Sequence, residues 1–163
     1  MKVVAPVRVE RTYTQRLCAR PDVVFPLLCP VRETEWVEGW DPLVVITATG
    51  KAELDCVFLT GQDDAESIWV ITGYDPDRYR LVITRYTPGM TVARITISLT
   101  ENADQSTDAA VTYMYTAVSE EGKEFVENYS EEYFVEFMKH WENALNRFLS
   151  EDGEARREEP PHE

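Results

Sequence analysis

The residues best suited to chemistry in this chain are tryptophans and glutamates that share one short stretch. Residues 30–42 read PVRETEWVEGWDP. They include two of the four tryptophans and three glutamates: Trp36, Trp40, Glu33, Glu35 and Glu38. A carboxyl group that an indole shields from water has a raised pKa and can act as a general acid or base. The alternative, which we favour, is a solvated helix face whose tryptophans fill the core or border a cavity.

Two arginines and one histidine are the other candidates for polar chemistry. If Arg85 or Arg94 points into a cavity, its guanidinium group can hold a ligand carboxylate or enolate. We favour the alternative, in which both lie on the outer face of a sheet and pair with acidic side chains. His140 directly precedes Trp141 on a predicted helix, where a boundary residue is more common than a catalyst. The sequence leaves open whether these three side chains face a cavity.

The motifs that identify most enzymes are missing. The chain has no H-x-x-x-H or clustered Cys and His, no G-x-S-x-G and no glycine-rich phosphate loop. We therefore predict no metal and no other cofactor, and the sequence does not decide whether the protein is an enzyme. The three cysteines, Cys18, Cys29 and Cys56, are widely spaced, which favours reduced thiols in a cytoplasmic protein.

Net charge restricts the partners that the chain can have. A charge of -14 argues against nucleic acid and against an anionic membrane surface, since both need a basic face. We interpret the acidity mainly as solubility, with an acidic docking surface for a basic partner as the alternative. No segment approaches the length of a membrane span, and the first residues lack the apolar run of a signal peptide. The oligomeric state stays open.

One long amphipathic segment organises the rest of the chain. Between residues 119 and 150, apolar or small residues recur at steps of three and four, which is the period of one helix face. This stripe comprises Val126, Ser130, Tyr133, Phe134, Phe137, Trp141, Ala144, Leu145 and Phe148. A helix so one-sided must pack its aromatic stripe against another layer.

The preceding residues predict that layer. After a first strand over 8–18 and two short helical pieces broken by Pro26 and Pro30, six strand-like segments follow with short connections. They span residues 43–49, 55–61, 66–75, 79–87, 90–99 and 109–118. Short connections favour an antiparallel meander, and a sheet with helices on one face is an α+β fold. We predict one domain over residues 1–150 and a disordered acidic tail over 151–163.

Particular segments also resemble a known superfamily. VFPLLCPVRETEWVEGWDP (24–42), IWVITGYDPDRYR (68–80) and TYMYTAVSEEGKEFVE (112–127), which runs into HWENALNRFL (140–149), resemble the START-like or SRPBCC superfamily, which includes polyketide cyclase/dehydrase-like proteins. The resemblance implies a helix-grip fold, in which a curved antiparallel sheet wraps the C-terminal helix around an internal cavity. Two competing folds fit the pattern less well. Nuclear-transport-factor-like proteins place their long helices before the sheet, whereas here the long helix comes last, and lipocalin-like barrels lack the early helix pair.

From this resemblance and the aromatic pattern we predict binding of a hydrophobic or aromatic small molecule in that cavity. The alternatives are a polyketide cyclase or dehydratase-like enzyme and a protein-interaction module like the co-chaperone activator domains. Large aromatic residues on inward faces are usually plain core, so a filled interior is an open possibility. The predicted ligand contacts are Trp36, Trp40, Trp69, Tyr113, Tyr115, Tyr133, Phe134 and Trp141.

Overall fold

Seven antiparallel strands form a single sheet, which the long helix crosses. The computed structural model describes residues 1–62 and 65–158, with side chains for all of these except 62, 65 and 152–158. The strands are β1 Arg8–Leu17, β2 Val44–Ile46, β3 Val57–Gln62, β4 Ala65–Asp75, β5 Arg80–Thr87, β6 Thr91–Glu101 and β7 Thr107–Ala117. Their order across the sheet is β1-β7-β6-β5-β4-β3-β2, so the predicted meander is confirmed and β1 pairs with β7. The predicted strand over 43–49 shortens to three residues.

Proline residues shape the short helical segments between β1 and β2. Helix α1 covers Pro21–Val24, and 3₁₀ helices follow at Phe25–Leu27 and Arg32–Glu35. Pro21 occupies the first turn of α1, where its missing N–H costs nothing, and Pro26 lies in the first 3₁₀ helix. The predicted pair of short helical pieces is therefore present, with Phe25 and Leu27 buried in the core.

The inner face of the sheet follows the two-residue period of its strands. On β6 the side chains of Ala93, Ile95, Ile97 and Leu99 are buried, as the alternation predicts. Arg11 and Gln15 of β1 are polar, yet their side chains also point to the inner face of the sheet. Both donate to main-chain carbonyl oxygens of the helical layer. Arg11 Nη2 donates to the carbonyl of Tyr129 over 3.1 Å, and Gln15 Nε2 donates to that of Met138 over 3.1 Å.

The C-terminal helical segment is two helices and not one. Helix α2 covers Glu120–Asn128 and helix α3 covers Glu131–Glu158, so the prediction of one helix over 119–150 is wrong at the junction. Ser130 is the reason, because its hydroxyl accepts a hydrogen bond from the Tyr133 N–H over 3.1 Å and caps the start of α3. Ser119 caps α2 in the same way, through the Gly122 N–H at 2.9 Å.

Helix α3 also runs further than the sequence pattern indicated. It continues through Glu158, whereas we predicted that a disordered tail begins at residue 151. Charged residues with good helix propensity extend a helix that is already formed, even where no apolar face remains. The predicted boundary at residue 150 is therefore not where the helix ends, and residues 159–163 lie outside the described residues.

Polar contacts attach α3 to one edge of the sheet. The Tyr13 hydroxyl donates to Glu142 over 3.1 Å, and the main-chain N–H of Cys18 donates to Asn146 Oδ1 over 2.9 Å. Tyr13 lies in β1 and Cys18 follows this strand directly, so α3 lies over the β1 side of the sheet. Among the strands, α3 has its main packing contacts with β1, so it leaves β3, β4 and β5 largely uncovered.

Candidate functional site: an aromatic cavity

A cavity of about 430 Å³ occupies the space between α3 and the uncovered part of the sheet. Its walls come from α3, from the 3₁₀ helix Arg32–Glu35 with the residues after it, and from strands β3 to β7. Most of the lining is aromatic or aliphatic. The lining residues are Glu33, Glu35, Trp36, Val37, Glu38, Trp40, Phe58, Trp69, Ile83, Ile95, Ile97, Tyr113, Phe137, His140, Trp141, Asn143, Ala144, Arg147, Phe148 and Glu151.

Aromatic pairs close the cavity on two sides. The rings of Trp36 and Trp141 stack with centroids 5.8 Å apart and planes only 6° from parallel. On the sheet side, Phe58 and Trp69 stack at 5.3 Å. Trp40 meets both of these rings edge-on, at 6.1 and 6.0 Å. Stacked and edge-to-face pairs of this kind hold each ring in a defined orientation, so the aromatic walls are pre-formed.

The indole N–H groups of three tryptophans are already satisfied by the protein. Trp36 Nε1 donates to the Leu27 carbonyl over 3.0 Å, and Trp40 Nε1 donates to the Pro30 carbonyl over 2.7 Å. Trp69 Nε1 donates to Thr60 Oγ1 over 2.9 Å. The first two bonds fix Trp36 and Trp40 to the segment before the 3₁₀ helix Arg32–Glu35, and the third fixes Trp69 to β3. The tryptophans therefore offer the cavity ring surface and not hydrogen-bond donors.

Glu33 places a carboxyl group among these apolar walls. Its main-chain carbonyl accepts from the N–H groups of Trp36 and Val37, one turn further along. Glu33 lines the cavity. The side chain keeps partial exposure because it faces the cavity, yet protein surrounds it. Desolvation in this setting raises the pKa of Glu33 from 4.5 to about 8. At neutral pH Glu33 is therefore mainly a neutral carboxylic acid.

Tyr113 is a buried polar residue that lines the same cavity from the sheet side. Burial raises the pKa of the Tyr113 phenol, the neighbouring Tyr115 and Glu33 raise it further, and Arg85 opposes them. Both Tyr113 and Glu33 are thus neutral hydrogen-bonding groups near pH 7. Both therefore supply hydrogen-bonding groups to a cavity whose lining is mostly apolar.

The two arginines lie on opposite faces of the sheet. Arg85 is paired laterally with Trp69 and Ala93 on the inner face, and its guanidinium carbon lies 4.4 Å from the centre of the Trp69 ring. Our preferred outer-face placement of Arg85 is therefore wrong, because its strand register follows that of Trp69. Arg94 is exposed and contacts the Met114 sulfur at 3.8 Å on the outer face, as predicted. Within the described residues, Arg85 Nε is buried without a hydrogen-bond partner.

Five of the eight side chains predicted to contact a ligand line the cavity: Trp36, Trp40, Trp69, Tyr113 and Trp141. Tyr115 and Phe134 are buried behind the wall, where each packs against Tyr113 with ring centroids 6.2 and 5.6 Å away. Tyr133 lies outside, with 64% of its surface exposed in the first turn of α3. Tyr133 lies on the exposed side of this turn, whereas its neighbour Phe134 is fully buried on the core side.

Sequence reasoning missed several lining residues. Phe58 and Ile83 belong to strands whose inward register was not assigned, and Ile95 and Ile97 were treated only as core. Alternation along each strand carried this signal. His140, whose orientation the sequence left open, also lines the cavity. The predicted apolar stripe of α3 divides into two lines. Phe134 and Leu145 face the core together with Met138 and Leu149, which the prediction did not include, while Phe137, Trp141, Ala144 and Phe148 face the cavity.

The described residues hold no cluster of three or more histidine, cysteine or acidic side chains suited to a metal ion. Cys29 and Cys56 are buried free thiols and Cys18 is an exposed one. Across residues 1–62 and 65–158, no helix combines the length and the apolar character that crossing a bilayer requires.

Comparison with solved structures confirms the architecture. Norcoclaurine synthase from Thalictrum flavum, solved with dopamine and hydroxybenzaldehyde, superposes with a TM-score of 0.65 at 11% identity, covering 93% of this chain and 97% of that one. Mll3558 from Rhizobium loti gives 0.63 at 16% identity over 88% and 99% of the two chains. DynU16, from the dynemicin biosynthetic locus, gives 0.56 at 14% identity over 86% of this chain and 47% of its own.

These likenesses establish the fold. The chain has the helix-grip architecture of the SRPBCC and START-like proteins, a curved antiparallel sheet with a long C-terminal helix, as the resemblance implied. No protein-family profile matches the chain, and no curated protein matches it at a significant level. The argument for function therefore depends on the cavity of this chain.

Proposed function

We propose that this protein binds an apolar or aromatic small molecule in the cavity between α3 and the sheet. The observation that carries the proposal is the cavity of about 430 Å³ with its pre-formed aromatic walls. Protein interiors pack to nearly crystalline density, so a void of this size is not ordinary core. Its volume and its mostly apolar lining with a few polar groups are typical of small-molecule sites.

The ligand contacts in this proposal are the five predicted aromatic residues that line the cavity, Trp36, Trp40, Trp69, Tyr113 and Trp141, with Tyr115 and Phe134 packed against Tyr113. Norcoclaurine synthase, which shares the fold, was solved with two small aromatic molecules bound. That precedent supports a ligand of similar chemical character here. The protein-interaction alternative called for a filled interior, and the cavity removes that motive.

A filling substitution tests the binding proposal directly. Wild-type protein should bind the neutral dye N-phenyl-1-naphthylamine with a rise in dye fluorescence. Ala144→Phe places a ring in the cavity and should abolish this rise while the protein stays folded by circular dichroism. Ala110→Phe is the matched control, because Ala110 lies on the outer face of β7, and this variant should bind the dye normally. Absence of dye binding by the wild type, or unchanged binding by Ala144→Phe, would contradict the proposal.

An enzyme that transfers protons is the second candidate, and one specific observation favours it. Glu33 combines a pKa of about 8 with a place in the same mostly apolar cavity as a second hydrogen-bonding group, Tyr113. Such a carboxyl group can exchange a proton with the carbon next to a carbonyl group, the step shared by cyclisation and dehydration chemistry. NMR of phenylacetone in D₂O tests this. Wild type should accelerate deuterium uptake at the benzylic carbon, and Glu33→Gln should not.

A further inference from the structure

The charged groups that line the cavity are unbalanced in sign. Four of these side chains are acidic and one carries a guanidinium group: Glu33, Glu35, Glu38, Glu151 and Arg147. Glu35 is already paired with Arg32. Glu33 has no hydrogen bond or ion pair within the described residues, although it is the carboxyl group most enclosed by aromatic walls. The cavity thus holds an acid whose partner is not supplied by the described part of the chain.

The aromatic walls also favour a cation over an anion. Because the N–H groups of Trp36 and Trp40 are bonded to the protein, these two indoles contribute ring surface to the cavity. The Trp69 ring is already covered by Phe58, which stacks on it at 5.3 Å, and by the Arg85 guanidinium group. Indole ring faces attract ammonium and guanidinium groups. The protein already uses one indole in this way, since Arg85 lies over the Trp69 ring.

We propose that the ligand is an organic amine, with an aromatic or branched apolar body and one protonated amino group that Glu33 holds beside the tryptophan rings. This inference rests on the proposed function and names the chemical class that the same cavity takes. The apolar body fills the space bordered by Phe58, Ile83 and Ile97. The competing class is an aromatic carboxylate held by Arg85, but Arg85 is not among the residues that line the cavity.

Binding of an ammonium group to Glu33 must be linked to proton release. A nearby cation favours the ionised carboxylate, so the pKa of Glu33 falls from about 8 when the amine binds. Between the bound and free pKa values, affinity should rise up to about tenfold per pH unit and then level off above pH 8. The other groups along the cavity that carry or exchange protons are Glu35, Glu38, Tyr113, His140, Arg147 and Glu151, with Arg85 beside Tyr113.

Three matched probes separate charge from apolar contact. Isothermal titration calorimetry at pH 7.5 would compare 2-(1-naphthyl)ethylamine, 2-(1-naphthyl)ethanol and 1-naphthylacetate, which share an aromatic body and differ in charge. We expect the amine to bind about tenfold more tightly than the alcohol, which corresponds to one ion pair of modest strength. Titrations in phosphate and in Tris, whose ionisation enthalpies differ, should show proton release for the amine and none for the alcohol.

Variants assign the effect to one carboxyl group. Glu33→Gln should remove the preference for the amine and its proton release while leaving the affinity for the alcohol unchanged. Asp41→Asn makes the same charge change at an exposed residue of the same segment that does not line the cavity, and it should keep both effects.

The possible outcomes separate this inference from the proposal beneath it. Equal binding of amine and alcohol by wild type, or tighter binding of the carboxylate, would overturn the amine assignment alone. Binding of the dye without binding of the amine would likewise overturn the amine assignment alone. Tighter amine binding without proton release would overturn the role of Glu33, and this readout needs no variant to fold. Failure of the dye and all three probes would overturn the binding function itself.

Discussion

The indole rings of Trp36 and Trp141 lie nearly parallel at 5.8 Å and join the 3₁₀ segment to helix α3 across the cavity. Trp36 is held from behind by its bond to Leu27, so the stack fixes α3 relative to the early helical region. We expect the two rings to be energetically coupled. A double-mutant cycle with Trp36→Ala and Trp141→Ala should give a coupling of about 0.5–1.5 kcal/mol in the free energy of unfolding. If the losses in the free energy of unfolding from the two single variants add up to the loss of the double variant, the stack contributes nothing beyond burial of the rings.

The two apolar lines of α3 should respond differently to the same truncation. Phe134 is fully buried, whereas Phe137 is 45% exposed along the cavity. Phe134→Ala should cost about 3–5 kcal/mol, since it leaves a void in the core. Phe137→Ala should cost much less, because the ring already borders open space. Urea unfolding of both variants measures the difference, and equal losses would contradict the assignment of the two lines.

Stability should fall as the pH rises through the range in which Glu33 ionises. The folded state raises the pKa of Glu33 from 4.5 to about 8, so it binds a proton that the unfolded chain has lost. Between these values the free energy of unfolding should decrease by up to about 1.4 kcal/mol per pH unit. Asp104 acts at lower pH, because bonds from Ser106 and Arg16 lower its pKa to about 2.

Glu33→Gln provides the test of this pH dependence. Its free energy of unfolding, measured in urea from pH 5 to pH 9, should lose most of the slope and exceed that of wild type at pH 9. Glu38→Gln, which changes the same charge on an exposed side chain, should keep the wild-type slope. A wild-type curve that is flat across this range would show that the Glu33 carboxyl group is not desolvated.

Gly122 permits the close approach of α2 to the turn between β5 and β6. A Cβ atom at this residue would lie 1.9 Å from the main-chain oxygen of Met90. Gly122→Ala should therefore destabilise the protein by about 1–3 kcal/mol through overpacking, although alanine normally favours a helix. Thermal unfolding against Glu124→Ala, an exposed substitution in the same helix, checks the prediction. A raised melting temperature in Gly122→Ala would contradict the close contact.

Removal of the chain after Ser150 should leave the melting temperature unchanged. The last buried apolar side chain among those described is Leu149, and the residues beyond it follow no apolar pattern. Differential scanning calorimetry of the full and shortened chains would test this expectation. A lower melting temperature for the shortened chain would mean that residues beyond 150 contact the folded domain.

The order of elements and the inner face of β6 were predictable because strand alternation and short connections leave few arrangements. The break between α2 and α3 at Tyr129–Ser130 was not predictable. Serine is small enough to belong to a buried helix stripe and is also a good helix cap, so the residue type does not distinguish the two. Arg85 was predicted on the wrong face of the sheet because its neighbours Thr84 and Tyr86 are also amphipathic. Composition alone therefore could not decide which residues of β5 point inward. The two lines on α3 could not be separated from sequence, because both repeat at three and four residues and differ only in what they face.

Pairing of β1 with β7 has a consequence for how the chain folds. Arg8 and its partner Thr116 are 108 residues apart, and α3 attaches to β1 from still further along. During synthesis the first strand therefore has no strand partner until β7 has left the ribosome. The meander from β3 to β7 closes through short turns and can form earlier, with β1 and α3 joining last. Long-range strand pairing of this kind is slow, and the waiting strand is the segment most open to aggregation or chaperone capture.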